Sequence, residues 1–359
     1  MRRTGTRSRD MPRNWRVGII GLGHWYSAFG LARALGEYPK ATLVGIAGGE
    51  TRRRNEYART FGITAHGSVK ELLARDDLDI VHICPPVDEI PAATVAAARA
   101  GKHIILGKPM AMTVAQADDM VAAVRAAKVV CVPFQGMFRV TQAALKKRLD
   151  SGEIGDIVVI HATGRWSIAE DWFHSGKPGW FADPAHVPGG AFIDEGIFSV
   201  DQLRWLAGSE VVRVEAKMAN FVHKDIEVED WGMATFTYAN GVIATLEASW
   251  TINSPRKSGP SPKVNSLNRL EVVGTRGEII QENLRVPGLA VLGAGAAGWT
   301  FERPGGDYVA PLHPTNLDYL IECLEKGVEP ESRIEDARVS LRTALAAYQS
   351  ARTGMPVTL

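Results

Sequence analysis

The segment Trp15-Arg-Val-Gly-Ile-Ile-Gly-Leu-Gly-His-Trp-Tyr26 runs a short apolar strand, Val17 to Ile20, straight into Gly21-Leu22-Gly23, and an Ala-rich apolar run from Ser27 to Leu35 follows at helical spacing. Strand, glycine turn and helix in that order seat a dinucleotide. The first glycine permits the tight turn and the second lets a pyrophosphate approach the backbone. The helix N-terminus supplies unpaired N–H groups and the positive end of its dipole. Gly21, Gly23 and the three residues that open the helix, His24, Trp25 and Tyr26, are the candidate contacts. A second string, Gly293-Ala-Gly295-Ala-Ala-Gly298, matches GxGxxG in full, yet Trp299-Thr-Phe-Glu-Arg-Pro-Gly-Gly follows it and no βαβ unit surrounds it. Without a helix N-terminus to offer, it reads as a flexible Gly/Ala loop.

A turn of this kind needs a parallel sheet around it. From Trp15 to about Pro133, strands read at 15–20, 42–47, 80–84, 103–106 and 129–132, each short and rich in Val, Ile and Leu, with helical stretches at 27–36, 51–60, 68–75, 91–100 and 113–127 between them. That alternation predicts a doubly wound parallel sheet over residues 15–135, behind a polar, basic tail at 1–14 expected to be disordered. Past residue 135 the character changes. Helical segments at 136–150 and 194–207 flank longer strands at 156–163, 211–221, 231–238, 242–252 and 267–273, with an Asn-Gly hairpin signal in Tyr238-Ala-Asn-Gly-Val242. Residues 136–359 therefore read as an α+β domain on a large open, mostly antiparallel sheet. It is closed by helices at 314–326 and 335–352 that can pack back on the first domain, and Ser254 to Asn265 reads as a mobile loop. The uncovered face of such a sheet suits a subunit contact.

The 359 residues carry a formal net charge of +1, so composition gives no reason to expect nucleic acid or an anionic membrane as partner. No apolar run approaches the ~20 residues of a membrane span, and the start of the chain lacks the apolar centre of a signal peptide, with Met11 a second possible start. Cys84, Cys131 and Cys323 lie far apart and none has a neighbour at metal-ligand spacing. They read as buried free thiols of a cytoplasmic protein that needs no metal.

Six ordered segments resemble the Gfo/Idh/MocA oxidoreductases, the family of glucose–fructose oxidoreductase and inositol dehydrogenase. They are Val17-Gly-Ile-Ile-Gly-Leu-Gly23, Leu78-Asp-Ile-Val-His-Ile-Cys-Pro-Pro86, Ala100-Gly-Lys-His-Ile-Ile-Leu-Gly-Lys-Pro-Met110, Leu149-Asp-Ser-Gly-Glu-Ile-Gly-Asp-Ile157, Gly189-Gly-Ala-Phe-Ile-Asp-Glu-Gly-Ile-Phe-Ser-Val-Asp201 and Leu270-Glu-Val-Val-Gly-Thr-Arg-Gly-Glu278. The resemblance implies NAD or NADP on the first domain, with Pro85, Pro86, Lys108 and Pro109 among its contacts. It also implies a sugar or cyclitol held between the domains, and a homodimer or homotetramer. Lys108 would lie beside the nicotinamide and the substrate oxygen, where a cation stabilises an alkoxide and exchanges a proton, with Asp194 as its partner.

Four departures from the family pattern shape the expected chemistry. Tyr26 stands where a third glycine is common, and either crowds the helix–strand contact, repacks locally, or sets a ring near the dinucleotide. Gly48 replaces the acid that accepts the adenosine ribose hydroxyls. Arg52 and Arg53, with Arg54, follow it, which favours NADP over NAD; the other reading is a solvated helix face with Glu50 serving NAD. Gly107-Lys108-Pro109 lacks the glutamate that usually precedes the lysine, so Lys108 is expected to lose its proton more easily if buried. Phe198 occupies the place of the family's histidine, one helical turn past Asp194, and Ile90 another histidine position, so the usual proton relay is absent.

Three readings follow. Lys108 and Asp194 carry the proton; or His174, His186 or His223 replaces the missing base; or turnover is altered. In the last case the chain runs a closed redox cycle around an elimination or glycoside cleavage, or serves as a non-catalytic cofactor-binding partner or sensor. Substrate contacts are expected from Phe198 and from the segment 165–181: Arg165, Trp166, Trp172, His174 and Trp180, with Asp171 and Lys177 beside them. Some of these aromatic rings are expected to pack under the loop or at a subunit contact. Asp201, seven residues past Asp194, is expected to serve structure rather than catalysis.

Overall fold

The computed structural model describes residues 13–166, 168, 179–251, 267–282, 288–302 and 312–359. The initial tail, the loop at 254–265, and Asp171, Trp172, His174 and Lys177 lie outside the described residues.

The first sheet takes its order from the alternation of strand and helix. Strands β1 (Trp15–Ile20), β2 (Ala41–Ala47), β3 (Thr64–Ala65), β4 (Ile80–Ile83), β5 (His103–Leu106) and β6 (Cys131–Pro133) are all parallel, in the order β3-β2-β1-β4-β5-β6. Only β3, two residues long, escaped the sequence pattern. Helices α1 (Trp25–Leu35), α2 (Thr51–Phe61), α3 (Val69–Leu73), α4 (Ile90–Arg99) and α5 (Val114–Ala127) cross between the strands. The strand order reverses at β1, between β2 and β4, and ligands of doubly wound sheets bind at such a point.

The glycines at that point answer first to the protein itself. A Cβ on Gly21 would lie 2.6 Å from the backbone of Pro85, and one on Gly23 2.5 Å from the Pro86 nitrogen. The turn after β1 is thus pressed against the Pro85-Pro86 turn after β4. Gly107 is bare for a similar reason, since a Cβ there would meet the Ile83 carbonyl oxygen at 2.6 Å.

In the second half, the helix expected at 136–150 is two, α6 (Met137–Thr141) and α7 (Ala143–Asp150), broken at Gln142, whose side chain bonds Gln202. Strands β7 (Ile157–Arg165), β8 (Val211–Ala219), β9 (Trp231–Tyr238), β10 (Ile243–Ser249), β11 (Leu267–Gly274), β12 (Glu278–Glu282), β13 (Gly288–Leu292), β14 (Thr300–Glu302) and β15 (Val357–Thr358) form one sheet in the order β14-β13-β12-β11-β7-β10-β9-β8-β15. Every neighbouring pair is antiparallel except β7 and β10. The β9–β10 turn takes its positive φ at Gly241 alone, +88°. Residues 293–299 form the loop between β13 and β14, far in sequence from any βαβ unit.

One face of this sheet is covered by α8 (Ala191–Ala207) and α10 (Ile334–Thr353): Phe236, Ala244, Leu246 and Ala248 pack beneath Val200, Leu203 and Ala347. The other face leaves Val158, Met233 and Ile243 exposed. Helix α10 also packs on the first sheet's layer through Ile334, Ala337, Leu341 and Ala344, while α9 (Leu312–Lys326) lies against α1.

The two glycine strings can be told apart by substitution. Gly23→Ala sets a methyl against immovable backbone and should cost about 1–3 kcal/mol. Gly298→Ala, with nothing within 4 Å, should stay within ~0.5 kcal/mol. Urea midpoints of the two variants check this; equal losses would give the loop at 293–298 a structural role it lacks here.

Candidate active site

Lys108 follows β5 and Asp194 sits in the first turn of α8, 86 residues later. Only 4% of the Lys108 side chain and 10% of the Asp194 side chain are exposed. The Lys108 Nζ donates to Asp194 Oδ1 at 2.5 Å and to the Asp194 carbonyl at 2.6 Å. The second carboxylate oxygen accepts from Trp250 Nε1 at 3.2 Å, and Trp250 is fully buried. Burial alone would push the lysine's pKa down, but the charges of Asp194, Tyr26 and Glu195 outweigh it and hold it above the ordinary lysine value. The expectation that Lys108 deprotonates easily is therefore corrected: Asp194 supplies the negative charge that the missing glutamate would have given.

Phe198, one turn further along α8, turns its ring toward the same ammonium, with Nζ 5.0 Å from the ring centroid, a cation–π distance. Phe134 and Phe138 pack edge-on against that ring at 6.1 and 5.9 Å. Ile90, at the other histidine position, is fully buried core. The described residues thus place a cation between a carboxylate and an aromatic face.

The start of α8 is held where this pair needs it. A Cβ on Gly189 would lie 2.2 Å from the Tyr348 ring and one on Gly190 2.0 Å from the Glu229 carbonyl. The Glu229 carboxylate accepts from the N–H groups of Gly190 and Phe192, both at 2.9 Å, and from the Tyr348 hydroxyl at 2.6 Å. A carboxylate at a helix N-terminus also suits the dipole. Further along α8, Asp201 receives two hydrogen bonds of 2.8 Å from Arg139 on α6, and Arg139 also faces Asp336 of α10 at 3.5 Å. Asp201 thus fixes the helix to α6 and α10.

The glycine turn lies beside this pair. Helix α1 begins with no side-chain cap and no acid in its first turn, so no side chain of that turn competes with or repels a pyrophosphate. Tyr26 makes an edge-on contact with His24 at 5.9 Å and with Trp25 at 6.0 Å, and its phenol is close enough to Lys108 and Asp194 to feel both charges. Trp180 Nε1 donates to the Gly23 carbonyl at 3.2 Å, and its ring stacks on Phe181 at 3.9 Å. These rings and Val87, Pro109, Val187 and Asp194 enclose about 10 Å³, room for roughly one water.

Gly48 and Gly49 end β2 at φ +80° and +68°, a conformation L side chains avoid. Arg52 and Arg53 each lie 3.8 Å from Glu50, and Arg54 turns back to the Gly49 carbonyl and Thr51.

Not every expected contact joins the site. Arg165 projects from the face of β7 opposite α8 and donates twice to Glu247, at 2.9 and 2.7 Å. It is thereby turned away from Asp194, because alternate residues of a strand point to opposite faces. Trp166 is half-buried against the cluster of Val87, Val187 and Trp250. His186 faces Asp88 at 3.0 Å and the His223 ring lies against the Trp250 carbonyl at 3.0 Å; among the described residues neither bonds Lys108 or Asp194. Trp250, Glu229 and Tyr348 escaped sequence reasoning. Trp250 ends a strongly apolar strand, which was a signal; nothing local marks the other two.

Two family models match: the oxidoreductase family with an NAD-binding Rossmann fold over residues 15–134, and the GFO/IDH/MocA C-terminal domain over residues 142–280. The chain belongs to the Gfo/Idh/MocA oxidoreductases. It is an NAD(P)-dependent oxidoreductase of that family. Among curated relatives it is 28% identical to scyllo-inositol 2-dehydrogenase (NAD(+)) of Bacillus subtilis, over 97% of each chain. It is 27% identical to 1,5-anhydro-D-fructose reductase of Ensifer adhaerens, over 94% of this chain and 97% of that one. Among solved structures, aldose-aldose oxidoreductase from Caulobacter crescentus, complexed with glycerol, superposes with a TM-score of 0.79 at 25% identity, covering 97% of this chain and all of that one.

Trp250→Phe removes the N–H from Asp194, leaving a buried carboxylate oxygen short of a donor, and replaces the indole by a smaller ring. It should cost about 1–3 kcal/mol, read from denaturant midpoints; an unchanged midpoint would show that this bond does not hold the carboxylate.

Proposed function

We propose that the protein transfers hydride between a nicotinamide and a CH–OH carbon of a sugar, sugar acid or cyclitol, or the matching keto form, with Lys108 exchanging the proton in place of the family's histidine. The observation that carries this is the buried Lys108–Asp194 pair against Phe198. An ammonium has three N–H donors; Asp194 takes two through its carbonyl and carboxylate, and the third is available for a substrate oxygen. The nicotinamide, when bound, supplies or accepts the hydride. In the reducing direction Lys108 gives a proton to the oxygen as it gains negative charge, and Asp194 balances the cation before and holds the amine after. The lysine pKa, held above its ordinary value, keeps Lys108 charged near neutral pH, the form that donates a proton when a carbonyl is reduced. The relatives act, by their names, on an inositol, an anhydrofructose and aldoses, and that chemistry motivates the substrate class.

We also propose NADP as the preferred cofactor. The end of β2 offers no carboxylate at Gly48, and two guanidinium groups, Arg52 and Arg53, follow it, each 3.8 Å from Glu50. A phosphate suits such a cluster.

A panel of inositols, 1,5-anhydro-D-fructose, aldoses and their oxidised forms, followed by nicotinamide absorbance, should show turnover for at least one member. Lys108→Ala should lower that turnover roughly 100- to 10,000-fold while cofactor affinity moves little; unchanged turnover would remove Lys108 from the chemistry. Titration with NADPH and NADH should show tighter NADPH binding in the wild type, with the difference shrinking in Arg52→Ala/Arg53→Ala. A clear preference for NADH would reassign Glu50 as the ribose acceptor.

A further inference from the structure

His24 stands at the N-cap of α1, yet its ring caps nothing in that helix. Its Nδ1 lies 3.0 Å from the Pro85 carbonyl and its Nε2 lies 2.8 Å from the carbonyl of Lys108 itself. Its backbone N–H donates to the Cys84 carbonyl at 2.8 Å. One residue thus ties the glycine turn to the end of β4, to the Pro85-Pro86 turn and to the residue that bears the ammonium. The ring is 3% exposed, packed edge-on among Trp180, Phe181 and Tyr26 at 4.8, 5.7 and 5.9 Å.

Both of the ring's partners are carbonyl oxygens, which only accept. A neutral imidazole has one N–H and satisfies one of them, whereas an imidazolium would satisfy both. Two charged groups face it, the Lys108 ammonium and the Asp194 carboxylate. Burial first, and then Lys108, push its pKa down to about 4, against the pull of Asp194 and the two carbonyls. The ring is therefore neutral near pH 7, with one proton for two acceptors, and the shorter contact is the one to Lys108.

We propose that His24 is a positioning residue for Lys108: its Nε2–H holds the Lys108 carbonyl, so that the main chain beneath the ammonium and the turn that seats the cofactor form one rigid piece. The proposal rests on the role given above to Lys108. Its substance is that removing the ring N–H loosens the aim of the ammonium without touching Nζ or Asp194.

The test has two arms. Nitrogen-15 spectra of wild-type histidines, with and without NADPH, read the tautomer directly. The His24 signals, assigned by their absence from His24→Gln, should stay neutral with the proton on Nε2 from pH 5 to 8. A proton on Nδ1, or an imidazolium in that range, would overturn the proposal whatever the kinetics. The second arm compares His24→Phe, which keeps a ring of similar size without a donor, with His24→Gln, which restores an N–H, on the panel substrate that the wild type converts fastest. His24→Phe should lose roughly 10- to 100-fold in kcat, as a misplaced catalytic group does, with KM and NADPH affinity within about threefold, and His24→Gln should recover most of that loss. A purely structural role would move KM, cofactor affinity and melting temperature together with kcat, and that outcome, or full kcat in His24→Phe, would overturn it. Wild-type inactivity on the panel would instead count against the reading of Lys108 and would remove the catalytic meaning of the link, while the spectra still decide whether the link exists.

Discussion

Two charges taken out of water together govern this molecule. Each buried ion costs several kcal/mol of lost hydration, repaid only by close geometry and full hydrogen bonding. Lys108 and Asp194 meet that demand by drawing on parts of the chain far apart in sequence. The ammonium comes from the loop after a parallel strand, the carboxylate from the first turn of a helix in the other half, and the indole N–H that completes the carboxylate from the residue after β10 of the mixed sheet. The pair exists only when both halves are in register with each other. The bare glycines at 107, 189 and 190 follow from this, because each stands where another part of the chain must come within a Cβ's reach.

Helix α8 carries the arrangement from one end to the other. Its start is seated by Glu229 and Tyr348 and its middle by Arg139 on Asp201, with Asp336 and Arg204 extending that ionic contact toward α10. A helix fixed at two points a turn or more apart cannot rotate about its axis, and rotation would carry Asp194 and Phe198 off the ammonium together. Asp201 thereby helps to fix the angle at which α8 presents Asp194 and Phe198.

The first sheet was largely legible in the chain because its signals are local. Apolar runs of four to seven residues alternate with Ala-rich helices, and Gly21-Leu22-Gly23 falls between a strand and a helix, whereas residues 293–298 do not. Lys108, Asp194 and Phe198 were legible as a set only through the ordered segments around them. What the chain could not disclose was distance. Asp194 was expected as the partner of Lys108, but the protonation was misjudged because the sequence does not give the 2.5 Å distance that lets its charge outweigh burial. Arg165 looked like a substrate contact by its neighbours, but the two-residue period of its strand turns it to the far face, where Glu247 engages it. Tyr348 meets the start of α8 across 155 residues, and no periodicity records such a meeting.

The phenyl ring of Phe198 has a consequence for how the site answers a change of pH. An imidazole in that place changes charge within the range of pH that cells and their surroundings span, and a site built around one weakens as its medium turns acid. A phenyl ring has no proton to gain or lose. The position that faces Lys108 on α8 therefore presents the same neutral surface at every pH, and the charge state of the site rests on Lys108 and Asp194.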